Sequence, residues 1–209
     1  MKIPKIFHRI WLGSKPMPEN FVRWGKTWLE QHPDWHMLEW NENNLPETRY
    51  PELIKKCCHL SQQSNIYRYE ILLRFGGVYI DTDFECNRNI EEILKHVEAF
   101  SCHKFSPEKR HVCPGILGGV GGHPLFETLV RNIPTRDVEK SLSLGSSYLS
   151  YWICQHPNVT IFPREYFYPY SCSEMYNYQP NPASMYPNAY GIHHWSSKWF
   201  PAGFERINT

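Results

Sequence analysis

The stretch SQQSNIYRYEILLRFGGVYIDTDFE, residues 61–85, constrains the architecture more than any other part of the chain. Residues 61–75 read as a helix that Ser61 or Ser64 caps and Gly76 ends. Residues 77–84 read as a buried strand that finishes in two aspartates, Asp81 and Asp83. Alternation along a strand puts Tyr79, Asp81 and Asp83 on one face, and Val78, Ile80 and Phe84 with Thr82 on the other. Two carboxylates so placed stand roughly 7 Å apart, and both are ionised near neutral pH. A cation or strong donors must offset their repulsion. Hard carboxylate oxygens suit Mg²⁺ or Mn²⁺, ions that also take phosphate oxygens from a substrate. Ligands of open α/β sheets gather at the carboxyl ends of strands. The pair is therefore placed to hold a metal diphosphate, although Asp-x-Asp alone also fits a solvated turn. On the preceding helix, Asn65 and Arg68 are three apart and share a face. Arg68 either meets the same phosphates and carboxylates or makes a structural salt bridge.

The flanking segments alternate in the same way. Residues 5–13 and 35–40 read as strands, and residues 18–33 between them as a helix with Phe21, Trp24 and Trp28 at helical spacing. Helices are expected over 52–60, 90–97, 123–133 and 146–156, a strand over 112–122, and an extended segment over 159–169. The expectation is an α/β fold, with a mostly parallel central sheet flanked by helices. Its 209 residues suit one domain: a nucleotide-binding part over about 1–110, and an acceptor part with a closing tail over about 111–209.

Composition excludes several alternatives. Formal net charge is +1 with both signs interspersed, so nucleic acid is not an expected partner. No apolar run approaches the roughly 20 residues of a membrane span, and the N-terminus does not resemble a signal peptide, so a cytoplasmic or membrane-peripheral setting is expected. Seven irregularly spaced cysteines read as reduced structural thiols; Cys102, His103, His111 and Cys113 fit no ordinary zinc module. His8 shares a strand face with Ile6 and Ile10 and reads as a core histidine bonded to backbone, whereas Trp11 falls on the opposite face. GILGGVGG, residues 115–122, lacks the lysine of a P-loop and is expected to let substrate approach the backbone.

Taken together, SNIYRYEILLRFGGVYIDTDFE, the N-terminal IPKIFHRIWLG, HPDW after the first helix, FPREYFYP and the closing IHHWSSKW resemble the DXD sugar transferases of glycosyltransferase family 32. That family is typified by capsular-polysaccharide sugar transferases and the yeast initiating mannosyltransferase. The glucosylating clostridial toxins share its core more distantly. The resemblance spans nearly the whole chain in order. It implies a GT-A type, Rossmann-like fold, a nucleotide-sugar donor and Mn²⁺ or Mg²⁺. It matches Trp11 to the aromatic that stacks on the donor base, and Arg68 to the arginine near the sugar and diphosphate. Tyr79, Asp81 and Asp83 match the tyrosine and the DXD pair, with Asp81 towards the ribose and sugar and Asp83 on the metal. His193 matches the histidine that completes the metal–diphosphate site, with the adjacent His194 as the alternative ligand. Ser197 and Trp199 match positions that close over the diphosphate. The chain departs from the family at Asn65, where an aspartate usually binds donor sugar hydroxyls, and at LGSS (144–147), on the acceptor side.

The expected function is a metal-dependent, retaining glycosyltransferase. UDP-sugar is the first expectation for the donor and GDP-mannose the second; the acceptor is a hydroxyl of a glycan or lipid-linked saccharide. Two alternatives come from other classes: a GT-A-like nucleotidyltransferase, against which WLGSKPMP (11–18) has too few glycines and lysines, and a non-catalytic nucleotide-sugar-binding protein.

Overall fold

The computed structural model describes residues 2–105, 111–140, 143–171, 174 and 183–196. Strand β1 (Ile6–Ile10) pairs in parallel with β2 (His36–Trp40) and with β3 (Gly77–Ile80). Beyond β3 the sheet turns mixed. Strand β6 (Val112–Gly119) runs antiparallel to β3 and to β5 (Ala99–His103), and β7 (Thr160–Phe162) runs parallel to β5. The order is β2-β1-β3-β6-β5-β7. A separate two-stranded sheet joins β4 (Phe84–Cys86) to β8 (Gly191–His193), with Phe84 opposite His193.

Each sheet face carries its own core. On one, Phe7, Val78, Ile80 and Phe100 meet Trp28 of helix α1 (Glu19–Gln31) and Trp35. Helix α1 exists because Phe21, Trp24, Gly25 and Trp28 recur at the helical period, and this face is the one buried. On the other face, Ile10, Tyr79 and Leu117 meet helices α3 (Leu60–Phe75), α4 (Pro124–Asn132) and α5 (Ser146–Ile153). Short helices α2 (Pro51–Lys56) and α6 (Arg164–Phe167) complete the set. The alternation of Val78 and Ile80 against Tyr79 is as the sequence predicts.

Helix α3 reverses into β3 through Gly76 (φ 63°) and Gly77 (φ 91°), values that glycine alone adopts freely. A Cβ on Gly77 would lie 2.6 Å from the Ile6 carbonyl oxygen. The two glycines let the helix return within one step to a strand at the sheet centre.

Several boundaries differ from expectation. Strand β3 ends at Ile80, and Asp81 to Asp83 form a turn closed by the Phe84 N–H on the Asp81 carbonyl at 3.1 Å. Neither Ser61 nor Ser64 caps α3; His59 stands at its N-cap, and its N–H donates to Gln62 Oε1 at 2.8 Å. The helix expected over 90–97 is one 3₁₀ turn, Glu92–Leu94. The Ile90 and Glu91 N–H groups donate to His32 Nε2 and Asn89 Oδ1, and β5 starts at Ala99, soon after the turn. The segment 159–169 is extended only as far as Phe162 before α6 begins. Gly118 and Gly119 do not serve substrate approach: the rings of Phe100 and Phe126 fill the space their side chains would need.

Candidate active site

Where β3 ends, the turn bearing Asp81 and Asp83 opens onto a cavity of about 170 Å³. Helix α3 contributes Ser64, Asn65 and Arg68 to its wall, β3 contributes Tyr79, and the far wall includes Gly115 and Ser146. Residues on both sides of position 110 therefore line one space.

Arg68 is the pivot. Its Nη1 donates to the Pro114 carbonyl at 2.6 Å, and Nη2 donates to Tyr79 Oη at 3.0 Å and to Asp81 Oδ1 at 2.9 Å. Tyr79 Oη donates to the same Asp81 oxygen at 2.9 Å. Burial alone would raise the Asp81 pKa, but Arg68 and then His193 outweigh it and bring it down to about 2. Burial works against the Arg68 charge too, and Tyr79 and Asp81 keep its pKa above the ordinary value.

Asp83 faces the tail. Its Oδ2 accepts from the Ser196 N–H at 2.7 Å, and its carbonyl accepts from the His194 N–H at 3.0 Å. His193 Nε2 lies 3.1 Å from Asp83 Oδ1 and 3.6 Å from Asp81 Oδ2. Burial disfavours a charged imidazole there, yet Asp83 and the bonds to both carboxylates raise its pKa to about 10. His193 Nδ1 is buried and has no partner among the described residues.

The structure separates the two adjacent histidines. His194 points away, bonded to Glu85 Oε2 at 2.9 Å and Tyr170 Oη at 3.0 Å, and stacked on Trp24 at 4.1 Å. Among the described residues, Asp81, Asp83 and His193 form the one group of three whose ligand atoms lie within 4.8 Å of one another. Two carboxylate oxygens and an imidazole nitrogen are a donor set that fits Mn²⁺, and Mg²⁺ with more water. Cys102 and Cys113 face each other across β5 and β6, and no such group includes them.

Not every expected residue reaches the cavity. Asn65 lines it half-buried, whereas Trp11 stands outside the lining, its Nε1 donating to the Lys15 carbonyl at 2.8 Å. Ser197 and Trp199 lie outside the described residues. His8 is a core histidine as expected, bonded to the Gly76 carbonyl at 2.8 Å. Sequence reasoning missed the contribution of Pro114, whereas Gly115, the first residue of the segment expected to let substrate approach the backbone, does line the cavity; a Cβ there would come within 2.9 Å of Asp81 Oδ2. It also missed Arg9, whose one signal was a cation within an otherwise apolar strand.

Residues 18–100 match the family described as the glycosyltransferase sugar-binding region containing DXD motif. Inositol phosphoceramide mannosyltransferase 3 of Schizosaccharomyces pombe is 31% identical over 138 residues, covering 63% of this chain and 37% of the relative. An uncharacterized glycosyltransferase of Acanthamoeba polyphaga mimivirus is 23% identical, covering 89% of this chain and 85% of the relative. This chain thus spans little more than a third of the fission-yeast protein but most of the viral one. Among solved structures, PaToxG glycosyltransferase superimposes with a TM-score of 0.56 at 16% identity, over 74% of this chain and 70% of that one. A glycosyltransferase involved in glycosylation of the major capsid of PBCV-1 gives 0.53 at 9% identity, over 91% and 94%. Among the described residues, no helix is long and apolar enough to cross a membrane. With the DXD turn at the end of β3 and a GT-A type sheet around it, the chain is similar, over residues 18–100, to the glycosyltransferases with a DXD-containing sugar-binding region.

Proposed function

We propose that the chain is a metal-dependent, retaining glycosyltransferase that moves a sugar from a nucleotide-sugar donor to a hydroxyl. The observation that carries this reading is the convergence of Asp83 and His193 on Asp81, which itself lines the cavity together with Asn65, Arg68 and Tyr79. Asp83, Asp81 and His193 would hold Mn²⁺ or Mg²⁺. When bound, the cation supplies electrostatic stabilisation of the negative charge on a leaving diphosphate.

The chain's own residues account for the rest. Arg68, fixed by the Pro114 carbonyl and Asp81, presents a buried positive charge to the same diphosphate without reorganising. Asn65 offers both an acceptor and a donor to sugar hydroxyls. Asp81 is held ionised and is shared between Arg68 and the tail. In a retaining reaction the acceptor hydroxyl attacks from the face the diphosphate leaves, and the departing phosphate oxygen takes its proton. No side chain is assigned as base. Trp11 would stack on the donor base from outside the cavity lining, and Ser197 and Trp199 would cover the diphosphate.

Relatives named as mannosyltransferases of inositol phosphoceramide support a mannosyl donor, and so GDP-mannose beside UDP-sugars. They also support a lipid-linked, hydroxyl-rich acceptor at a membrane surface. The test is a thermal-shift screen of UDP-sugars and GDP-mannose with Mn²⁺, followed by donor hydrolysis without acceptor. A Mn²⁺-dependent rise in melting temperature with one nucleotide-sugar, and release of its nucleoside diphosphate, is expected. No shift with any donor would overturn the reading, and release of pyrophosphate from a nucleoside triphosphate and a sugar 1-phosphate, supplied in a separate assay, would indicate a nucleotidyltransferase.

A further inference from the structure

The arginine of β1 does something an ordinary strand residue does not. Arg9 is 1% exposed, and its Nη2 donates to the Thr82 carbonyl at 2.9 Å and to the Phe21 carbonyl at 2.7 Å. Its Nη1 donates to Glu39 Oε1 at 2.7 Å. Thr82 is the residue between the two aspartates, and its side chain is buried as well. Gly25 of α1 packs directly on the guanidinium: a Cβ there would overlap Nη1 and lie 2.8 Å from Cζ. A glycine inside a helix costs about 1 kcal/mol relative to alanine. Here it opens the passage through which the cation reaches the turn.

Stability alone does not account for the arrangement. A buried guanidinium forfeits several kcal/mol of hydration, and an apolar side chain of similar size is often no worse for the fold. The counter-ion, Glu39, is 53% exposed, and Arg9 Nε is buried with no hydrogen-bond partner among the described residues. Burial pulls the Arg9 pKa down, while Glu39, Tyr79 and Asp83 oppose it. The charge therefore sits close enough to Asp83 to interact with it.

We infer that Arg9 is a positioning residue for the metal-binding turn: by holding the Thr82 carbonyl it fixes the peptide between Asp81 and Asp83 and so aims both carboxylates at one point. The turn is then gripped on three sides. Gly115 accepts from the Asp81 N–H at 2.7 Å, Arg9 takes the Thr82 carbonyl, and His194 donates to the Asp83 carbonyl. Gly25 shares the role, since it leaves room for the guanidinium. The inference rests on the proposed metal site.

Mn²⁺ alone is the probe, with its binding read by electron paramagnetic resonance and the exchange of turn amides read by hydrogen-exchange mass spectrometry of the metal-free protein. Gly25→Ala leaves every ligand and Arg9 itself in place and favours the helix, but pushes the guanidinium off the turn. It is expected to weaken Mn²⁺ by about 10–100-fold, in the range of outer-sphere partners of metal ligands, and to speed exchange over 81–84. Arg9→Met is expected to do the same, and Gly25→Ala in that background to add nothing, because both act through one contact. Glu39→Gln, at an exposed position, removes the counter-charge but leaves an oxygen for Nη1, and is expected to weaken Mn²⁺ by about two- to fivefold. It decides the matter should the other two fail to fold. If the parent binds Mn²⁺ and a folded Gly25→Ala or Arg9→Met binds it equally well, or if Glu39→Gln is the sole folded variant and matches the parent, Arg9 has no positioning role. If the parent itself binds no Mn²⁺, the metal site is wrong instead.

Discussion

Two histidines, His8 and His193, are buried to nearly the same degree and behave in opposite ways. His8 lies behind the start of β3, between a carbonyl and an indole: its Nε2 is 2.8 Å from the Gly76 oxygen and its Nδ1 accepts from Trp40 Nε1 at 3.1 Å. One nitrogen must donate and the other must accept, so the geometry admits only the neutral ring. Burial pulls its pKa to about 4, although the Gly76 carbonyl opposes this. His193 lies beyond the other end of the strand against two carboxylates, and they raise its pKa to about 10 despite burial. Burial sets how much a charge matters; the neighbours decide its sign. One end of β3 is built to exclude charge and the other to concentrate it.

Breaking the charged end should have the largest effect. Asp83→Ala is expected to lower kcat/KM for donor turnover by about 10³-fold, or about 4 kcal/mol, while circular dichroism stays unchanged. In the metal-free variant the His193 pKa should fall from about 10 towards 6.5, seen by NMR titration of the ring. A value that stays at about 10 would mean that Asp83 is not what raises it.

The neutral end governs stability in acid. The folded-state pKa of His8 lies below its unfolded value of 6.5, so stability is complete above 6.5 and declines as pH falls towards 4. The full step is about 3 kcal/mol from the shift to about 4. Urea unfolding at pH 7 and pH 4 measures it, and His8→Gln, which cannot take up a proton, should flatten the step. Trp40→Phe probes the same site more gently. It keeps the stack on Phe75 but removes the donor to Nδ1, at a cost of about 1 kcal/mol at pH 7. It should also raise the His8 pKa and shrink the acid step. Smallest of all, Lys55→Ala breaks an ion pair whose side chains are 70% and 75% exposed. A change below about 0.5 kcal/mol is expected, which would set both buried histidines apart from ordinary surface charge.

The parts of the molecule that sequence reasoning reached are the locally encoded ones. The run through α3, Gly76, Gly77 and β3 carries its own periodicity and punctuation, and Arg68, Tyr79 and Asp81 meet because the helix and strand are consecutive. Alternation continues through Asp81 and carries the predicted strand into the turn; what ends β3 is that its ladder with β6 closes at Ile80–Ile116 and the Asp81–Gly115 bond, a non-local fact. The 90–97 segment has helical composition, yet only Glu92–Leu94 forms a turn before β5 begins at Ala99, and propensity does not register that tertiary demand. Gly118 and Gly119 look like a substrate loop in one dimension and prove to be sockets for Phe100 and Phe126. Choosing between His193 and His194 needed the pairing of β8 with β4, which sets the first towards the carboxylates and the second towards Glu85.

That pairing also has a consequence in time. Asp83 and Ser196 are bonded across 113 positions of chain, and β8 is not one of the six strands of the main sheet. During vectorial synthesis the sheet can therefore assemble before the centre does. A nascent chain whose β8 has not yet emerged would display a nearly complete scaffold in which Arg68 already holds Asp81 while Asp83 still waits for its histidine.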